Sequence, residues 1–143
     1  MKIASIDIGT NAVKSKIFNT SSTSINFIGS VRSPIRLGAE VFKDGDLSKV
    51  KLKELIKTLK KYQKTFKNEG IVLYEIVATS AFRNSTNSED ARRFVENKIN
   101  HPLRIISGLE EAKLISHHPK AQSSSKKIFV DVGGGSTELY IYK

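Results

Sequence analysis

The chain has 143 residues, 38% hydrophobic and 27% charged, an ordinary globular balance that favours one domain, or one domain and a fragment, with a real core. It has no cysteine, which excludes disulfides and thiolate metal sites, and no apolar run approaches the ~20 residues of a membrane span. A net charge of +10, from 24 Lys+Arg against 14 Asp+Glu, points to a polyanionic partner: nucleic acid, inorganic polyphosphate or an anionic membrane.

The chain opens MKIASIDIG, with an aspartate inside its apolar run and no small-residue cleavage site. That reads as a first strand rather than a signal peptide, and a reducing, cytoplasmic setting is the default. Residues 2–8, 12–18 and 25–32 are apolar and β-branched, separated by short polar connections, and predict three successive antiparallel strands. Residues 32–48, with Pro34, Gly38 and Gly45, read as a loop. Ser48 is placed to cap a helix in which Leu52, Leu55, Ile56, Leu59, Tyr62 and Phe66 form one buried stripe, with Gly70 as its stop. Eight lysines between Lys49 and Lys67 fall mostly opposite that stripe, as on a solvated face, and no Arg-rich, aromatic-interleaved segment argues for nucleic acid.

The run 71–78 is nearly unbroken in its apolar character and predicts a strand covered on both faces. Residues 79–87 read as a loop. Asn87, with Asp90 three residues on, starts a helix carrying Ala91, Phe94, Val95 and Ile99. His101-Pro102 ends it, and 103–106 is a short strand. Ser107 and Glu110 have capping-box spacing for another helix, stopped by Pro119. Residues 120–127 read as a polar linker, and 128–132 and 138–142 as two final strands. The order β-β-β-α-β-α-β-α gives an α/β unit, a mixed sheet with helices on its faces, and two strands more than that unit needs.

Those last strands repeat the first ones. SIDIGTNAVKSKIF opens the chain and FVDVGGGSTELYIY closes it. Each is an apolar strand, Asp-x-Gly, a small polar loop and a second strand, with Asp7 matching Asp131 and Gly9 matching Gly133. The recurrence predicts a duplicated domain, residues 1–122 forming the first copy and 123–143 a linker and the opening hairpin of a second. Glycine turns after a strand expose successive backbone N–H groups, which hold phosphate oxygens. Thr10, Ser136 and Thr137 add hydroxyls, and Asp7 and Asp131 suit a hydrated Mg²⁺, which takes one or two carboxylates plus phosphate oxygens. His117-His118 reads as a favourable helix C-terminus rather than a metal site.

The segments IDIGTNAV (6–13), RLG (36–38), ATSAFRNSTN (78–87), ISGLEEAKLI (106–115) and VDVGGGSTEL (130–139) run in one order along nearly the whole chain. Together they resemble the exopolyphosphatase / guanosine pentaphosphate phosphohydrolase (Ppx/GppA) family, within the actin-like ATPase superfamily. The resemblance implies two ribonuclease-H-like domains with a cleft between them, the second truncated here. It also implies Mg²⁺-dependent release of terminal phosphate from inorganic polyphosphate or guanosine pentaphosphate. By position, Glu111 falls at the general base, Asp131 at a metal- and water-organising carboxylate, and Glu138 at a further acidic position. Arg83 falls at a phosphate-contacting arginine, and Thr10-Asn11 and Gly134-Gly135-Ser136 fall on the two phosphate loops. Glu110 reads as a helix cap. Ala12 departs from the family's usual serine and removes one hydroxyl.

Two readings compete with a phosphohydrolase weakened or silenced by truncation. One is a non-catalytic phosphate- or polyphosphate-binding regulatory module, marked by binding without phosphate release. The other is a nucleotide-dependent kinase or ATPase, against which Ser107-Gly108-Leu109-Glu110-Glu111-Ala112 argues. The unpaired edges of the closing hairpin predict that it folds onto its own sheet or pairs with a second copy, giving a homodimer.

Overall fold

The structure, a computed structural model, describes residues 1–117 and 126–142. His118, the predicted stop at Pro119 and linker residues 120–125 lie outside the described residues. Strands β1 (Lys2–Ile8), β2 (Val13–Thr20) and β3 (Ile25–Ser33) form the expected antiparallel meander. β1 pairs in parallel with β4 (Leu73–Ala78), and β4 with β5 (Arg104–Ile105). The sheet is therefore mixed, in the order β3-β2-β1-β4-β5. Short polar turns permit only antiparallel neighbours, whereas the long connection from β3 to β4 permits a parallel return.

One face of this sheet is covered. Ala4, Ile6, Ile8, Val13, Ile17, Ile76 and Ala78 alternate onto it and share one core with the α2 (Lys49–Asn68) stripe and with Ala91, Val95 and Ile99 of α4 (Ser88–Ile99). Burying each of the larger side chains is worth about 1.5–3 kcal/mol, so this face supplies most of the fold's driving force. Ser48 accepts the Lys51 N–H at 3.2 Å as the α2 cap, and Gly70 takes φ 70° just beyond the helix end. Tyr62 fixes α2 against the meander: its hydroxyl donates to the Val13 carbonyl at 3.2 Å and bonds the Ser33 hydroxyl at 2.8 Å. The α2 lysines are exposed, except for Lys51, which pairs with Glu54 and the Ile35 carbonyl.

Several expectations need correction. The segment read as a loop over 32–48 contains a helix, α1 (Leu37–Asp44), in which Leu37 and Val41 are buried one turn apart. Glycine at 38 masked it, although that glycine is a packing requirement: a Cβ there would press into the Thr10 methyl. Another short helix, α3 (Ser80–Arg83), interrupts the second predicted loop. β4 begins at Leu73 and is covered on one face only; Leu73 is 57% exposed and Val72, just before it, 85%. The continuous run concealed an alternation in which every second residue faces the open side. Asn87 stands at the N-cap position of α4 as expected, its carbonyl accepting the Ala91 N–H at 2.9 Å, but its side-chain amide bridges to the Leu47 N–H and carbonyl at 2.9 and 3.0 Å rather than to the helix.

The capping box on α5 (Gly108–Ile115) is present, with the Glu110 N–H donating to Ser107 Oγ at 3.1 Å and the Ser107 N–H to Glu110 Oε2 at 2.9 Å. β6 (Lys127–Val132) and β7 (Thr137–Tyr142) form a separate two-stranded sheet. Its inner side lies against α5 and the β1–β2 loop, and Glu138 is buried there. Ile128, Val130, Leu139 and Ile141 stay exposed on its outer side. No helix among the described residues is long and apolar enough to cross a membrane.

Candidate active site

The repeat seen in the sequence is a repeat in three dimensions. In the first hairpin Ile8 faces Val13 and Asp7 faces Lys14; in the second Val132 faces Thr137 and Asp131 faces Glu138. Each turn closes with the same bond: the Gly9 N–H donates to the Ala12 carbonyl at 3.1 Å, and the Gly133 N–H to the Ser136 carbonyl at 2.9 Å. The next three amides of each turn (Thr10, Asn11 and Ala12; Gly134, Gly135 and Ser136) have no acceptor among the described residues. Two clusters of free N–H groups thus sit on adjoining loops, the arrangement that binds anions.

The loops touch through their glycines. A Cβ on Gly134 would lie 2.9 Å from Asn11 Cγ and 3.1 Å from Thr10 Cβ, and one on Gly135 would strike the Phe42 ring, so no larger residue allows this approach. Beside the contact opens a cleft of about 350 Å³, bordered by Asp7, Thr10, Asn11, Glu111, Asp131 and Ser136 among others. It lies beyond the carboxyl ends of β1 and β4, where the sheet switches from antiparallel to parallel neighbours, the usual place for a ligand in an open α/β sheet. Asn11 and Gly134 also border a second, shallower hollow with Arg36, Phe42 and Lys43.

Three carboxylates, Asp7, Glu111 and Asp131, border the cleft, and Glu138 is buried close behind them. Glu111 is reached from α5. Burial and the nearby Glu138 push its carboxyl above the ordinary range, Arg83 pulls it back, and Asp7 raises it further. Arg83 Nη1 holds Glu111 Oε2 at 3.2 Å and is itself anchored to the Ile106 carbonyl at 2.8 Å. Glu111 Oε1 has no partner among the described residues. Asp7 is likewise raised, by burial first, against the pull of Lys14 and Lys16 and with Asp131 adding to the rise. Asp131 is exposed at the rim. Asp131 lies close enough to Asp7 for its charge to add to the rise of the Asp7 carboxyl, and two such carboxylates beside free amides have the donor set of a hydrated Mg²⁺ site. Among the described residues no three His, Cys, Asp or Glu side chains converge as a metal cage. His117 sits at the end of α5 with Nδ1 3.2 Å from the Lys113 carbonyl.

The structure brings Asp7, Thr10, Asn11, Glu111, Asp131, Gly134 and Ser136 onto one cleft wall. Four other predicted residues stand off it. Arg83 stands behind Glu111 and pairs with it. Glu138 is buried beneath the rim. Gly135 packs on Phe42. Thr137 alternates onto the outer side of the hairpin with Leu139 and Ile141. The Thr10 hydroxyl is engaged with Ser80 at 2.6 Å, so Thr10 offers its amide rather than a free hydroxyl. Ser80, Lys14 and Arg32 also line the cleft and were not singled out in the sequence. Ser80 lies within the 78–87 segment that carries the family resemblance, and Lys14 and Arg32 emerge only from strand register.

A profile of the Ppx/GppA phosphatase family matches residues 16–143. That match spans most of the chain, and the chain belongs to this family. It is similar to the solved Ppx/GppA family member of Aquifex aeolicus, with 28% identity and a TM-score of 0.82 over 100% of this chain and 47% of that one. A solved exopolyphosphatase of Cytophaga hutchinsonii shares the fold, at 24% identity and TM-score 0.88 over 99% of this chain and 46% of that one. So does the ROK hexokinase of Thermus thermophilus, at 18% identity and TM-score 0.51, with 99% of this chain and 49% of that one covered. The chain spans about half the length of these solved relatives.

Proposed function

We propose, from the membership just given, that this chain contributes to a phosphohydrolase site that removes the terminal phosphate of inorganic polyphosphate or guanosine pentaphosphate by water attack. The observation that carries the reading is Glu111: a carboxylate on the cleft wall with a raised proton affinity, one oxygen held by Arg83 and the other free. The free amides of the two turns bind the terminal phosphate. Glu111 Oε1 takes a proton from water as the water oxygen bonds to phosphorus. The phosphoanhydride bond breaks and its electron pair leaves on the shortened chain. Phosphoryl transfer asks mainly for positioning and charge neutralisation, which backbone amides and an oriented base supply. A Mg²⁺ held by Asp7 and Asp131 supplies, when bound, neutralisation of phosphate charge.

A second reading, phosphate binding without turnover, is favoured by the exposure of Asp131, Gly133 and Gly134, which leaves the rim open to water and weakens every polar contact there. One experiment separates the two. Orthophosphate release from each substrate, with Mg²⁺, is compared between the natural chain and Glu111→Gln, alongside direct binding. The catalytic reading expects release to fall by at least ~10²-fold in the variant while binding persists. Equal release by both proteins overturns it, and binding with no release by either selects the second reading.

A further inference from the structure

The uncovered face of the five-stranded sheet bears a run of cations that leads out of the cleft. Strand alternation puts Asp7, Lys14 and Arg32 side by side on that face, Lys14 directly opposite both Asp7 and Arg32. Lys16 follows one pleat along, between Ser5 and Ser30. Lys14, Lys16 and Arg32 are exposed, and none forms an ion pair among the described residues. Like charges directly opposite one another destabilise a strand pair, and half-buried Asp7 offers one charge against three. Lys14 and Arg32 border the cleft itself; Lys16 lies outside it yet still acts on Asp7. The positive strip thus starts at the phosphate loops and continues onto open sheet.

We propose that Lys14, Arg32 and Lys16 form an exit track for the inner phosphates of a linear polyphosphate whose terminal phosphate sits in the cleft. Long chains are then held better than short ones. The inference rests on the phosphohydrolase reading above and chooses between its two substrates. A linear polyanion carries charge on every unit and matches a linear run of unpaired cations; a nucleoside has nothing to offer them. The other hollow leading from the loops, toward Arg36 and Lys43, has the half-exposed Phe42 ring in its wall and suits a polyanion less well.

The test is binding rather than turnover. Affinities for tripolyphosphate and for long-chain polyphosphate are measured over a salt series with the natural chain, Lys16→Gln and Lys16→Glu. Long-chain affinity is expected to drop roughly threefold in the first variant and roughly tenfold in the second, with tripolyphosphate unchanged. The salt dependence of long-chain binding becomes shallower in both. If both ligands bind and their affinity ratio is the same in all three proteins, the track is wrong and the cleft reading stands. If Arg36→Gln with Lys43→Gln lowers the ratio instead, the chain leaves by the other hollow. Single-stranded DNA binding as tightly as long-chain polyphosphate, with the same Lys16 dependence, overturns the choice of ligand. Should neither phosphate probe bind the natural chain, the cleft reading fails and the track with it.

Discussion

Replacing Gly38 by alanine should destabilise this protein, although the same change inside a helix ordinarily stabilises by about 1 kcal/mol. The added Cβ would overlap the Thr10 methyl and come within 3.0 Å of the Phe42 ring. Phe42 is half-exposed and can swing aside. Thr10 cannot: it is buried, and rotating its methyl away breaks the 2.6 Å bond to Ser80. Losing that bond costs about 0.5–1.5 kcal/mol, and residual overpacking about 1–3. Against the propensity gain, a net loss of about 1–2 kcal/mol remains, and a lower melting temperature follows by roughly 3–5 °C per kcal/mol at this size. Thr10→Ser removes the clashing methyl and keeps the hydroxyl. In a double-mutant cycle followed by urea denaturation, Gly38→Ala should cost markedly less on the Thr10→Ser background. A stabilised Gly38→Ala single variant, or a coupling near zero, would refute the claim that α1 and the β1–β2 turn are packed at their limit.

Asp7→Asn should raise stability at neutral pH. Its folded proton affinity is raised by burial, so folding is penalised as pH climbs from the unfolded carboxyl pKa through the folded one, and the amide escapes that penalty. Melting curves should show the gain at pH 7 and lose it well below pH 4; a gain independent of pH would point to another cause. Arg83→Gln removes a favourable charge from Glu111, so the Glu111 carboxyl should titrate higher still, as followed by side-chain carboxyl NMR. No upward movement would mean that the pair does not form in solution. Ser15 is buried with its hydroxyl unpartnered, so Ser15→Ala should be neutral or stabilise by up to about 1 kcal/mol. A clear loss in denaturation would indicate a bridging water.

What the sequence disclosed depended on how local the determinant was. The α2 stripe, its serine cap and the α5 capping box are set by residues within a turn or two, and each is found where the pattern placed it. The paired turns were legible because one short pattern occurs twice. α1 was not, since its glycine answers to Thr10, a residue distant in the chain. Register hid Lys14 and Arg32, whose neighbours across the sheet determine where they point. Parity alone places Thr137: since Asp131 and Glu138 share one side of the hairpin, the residue between Glu138 and the turn takes the other.

The two hairpins match in register, but beside the turns one slot changes sign: the slot facing Asp7 holds Lys14, and the slot facing Asp131 holds Glu138. A receptor made of two equal halves grips a uniform thread without regard to its direction. On the exit-track proposal, one jaw would attract a string of negative units and the other would turn it away. The thread would then have a preferred heading, its end toward the acidic jaw and its length trailing over the basic one, and an enzyme so built would trim from a terminus rather than cut within.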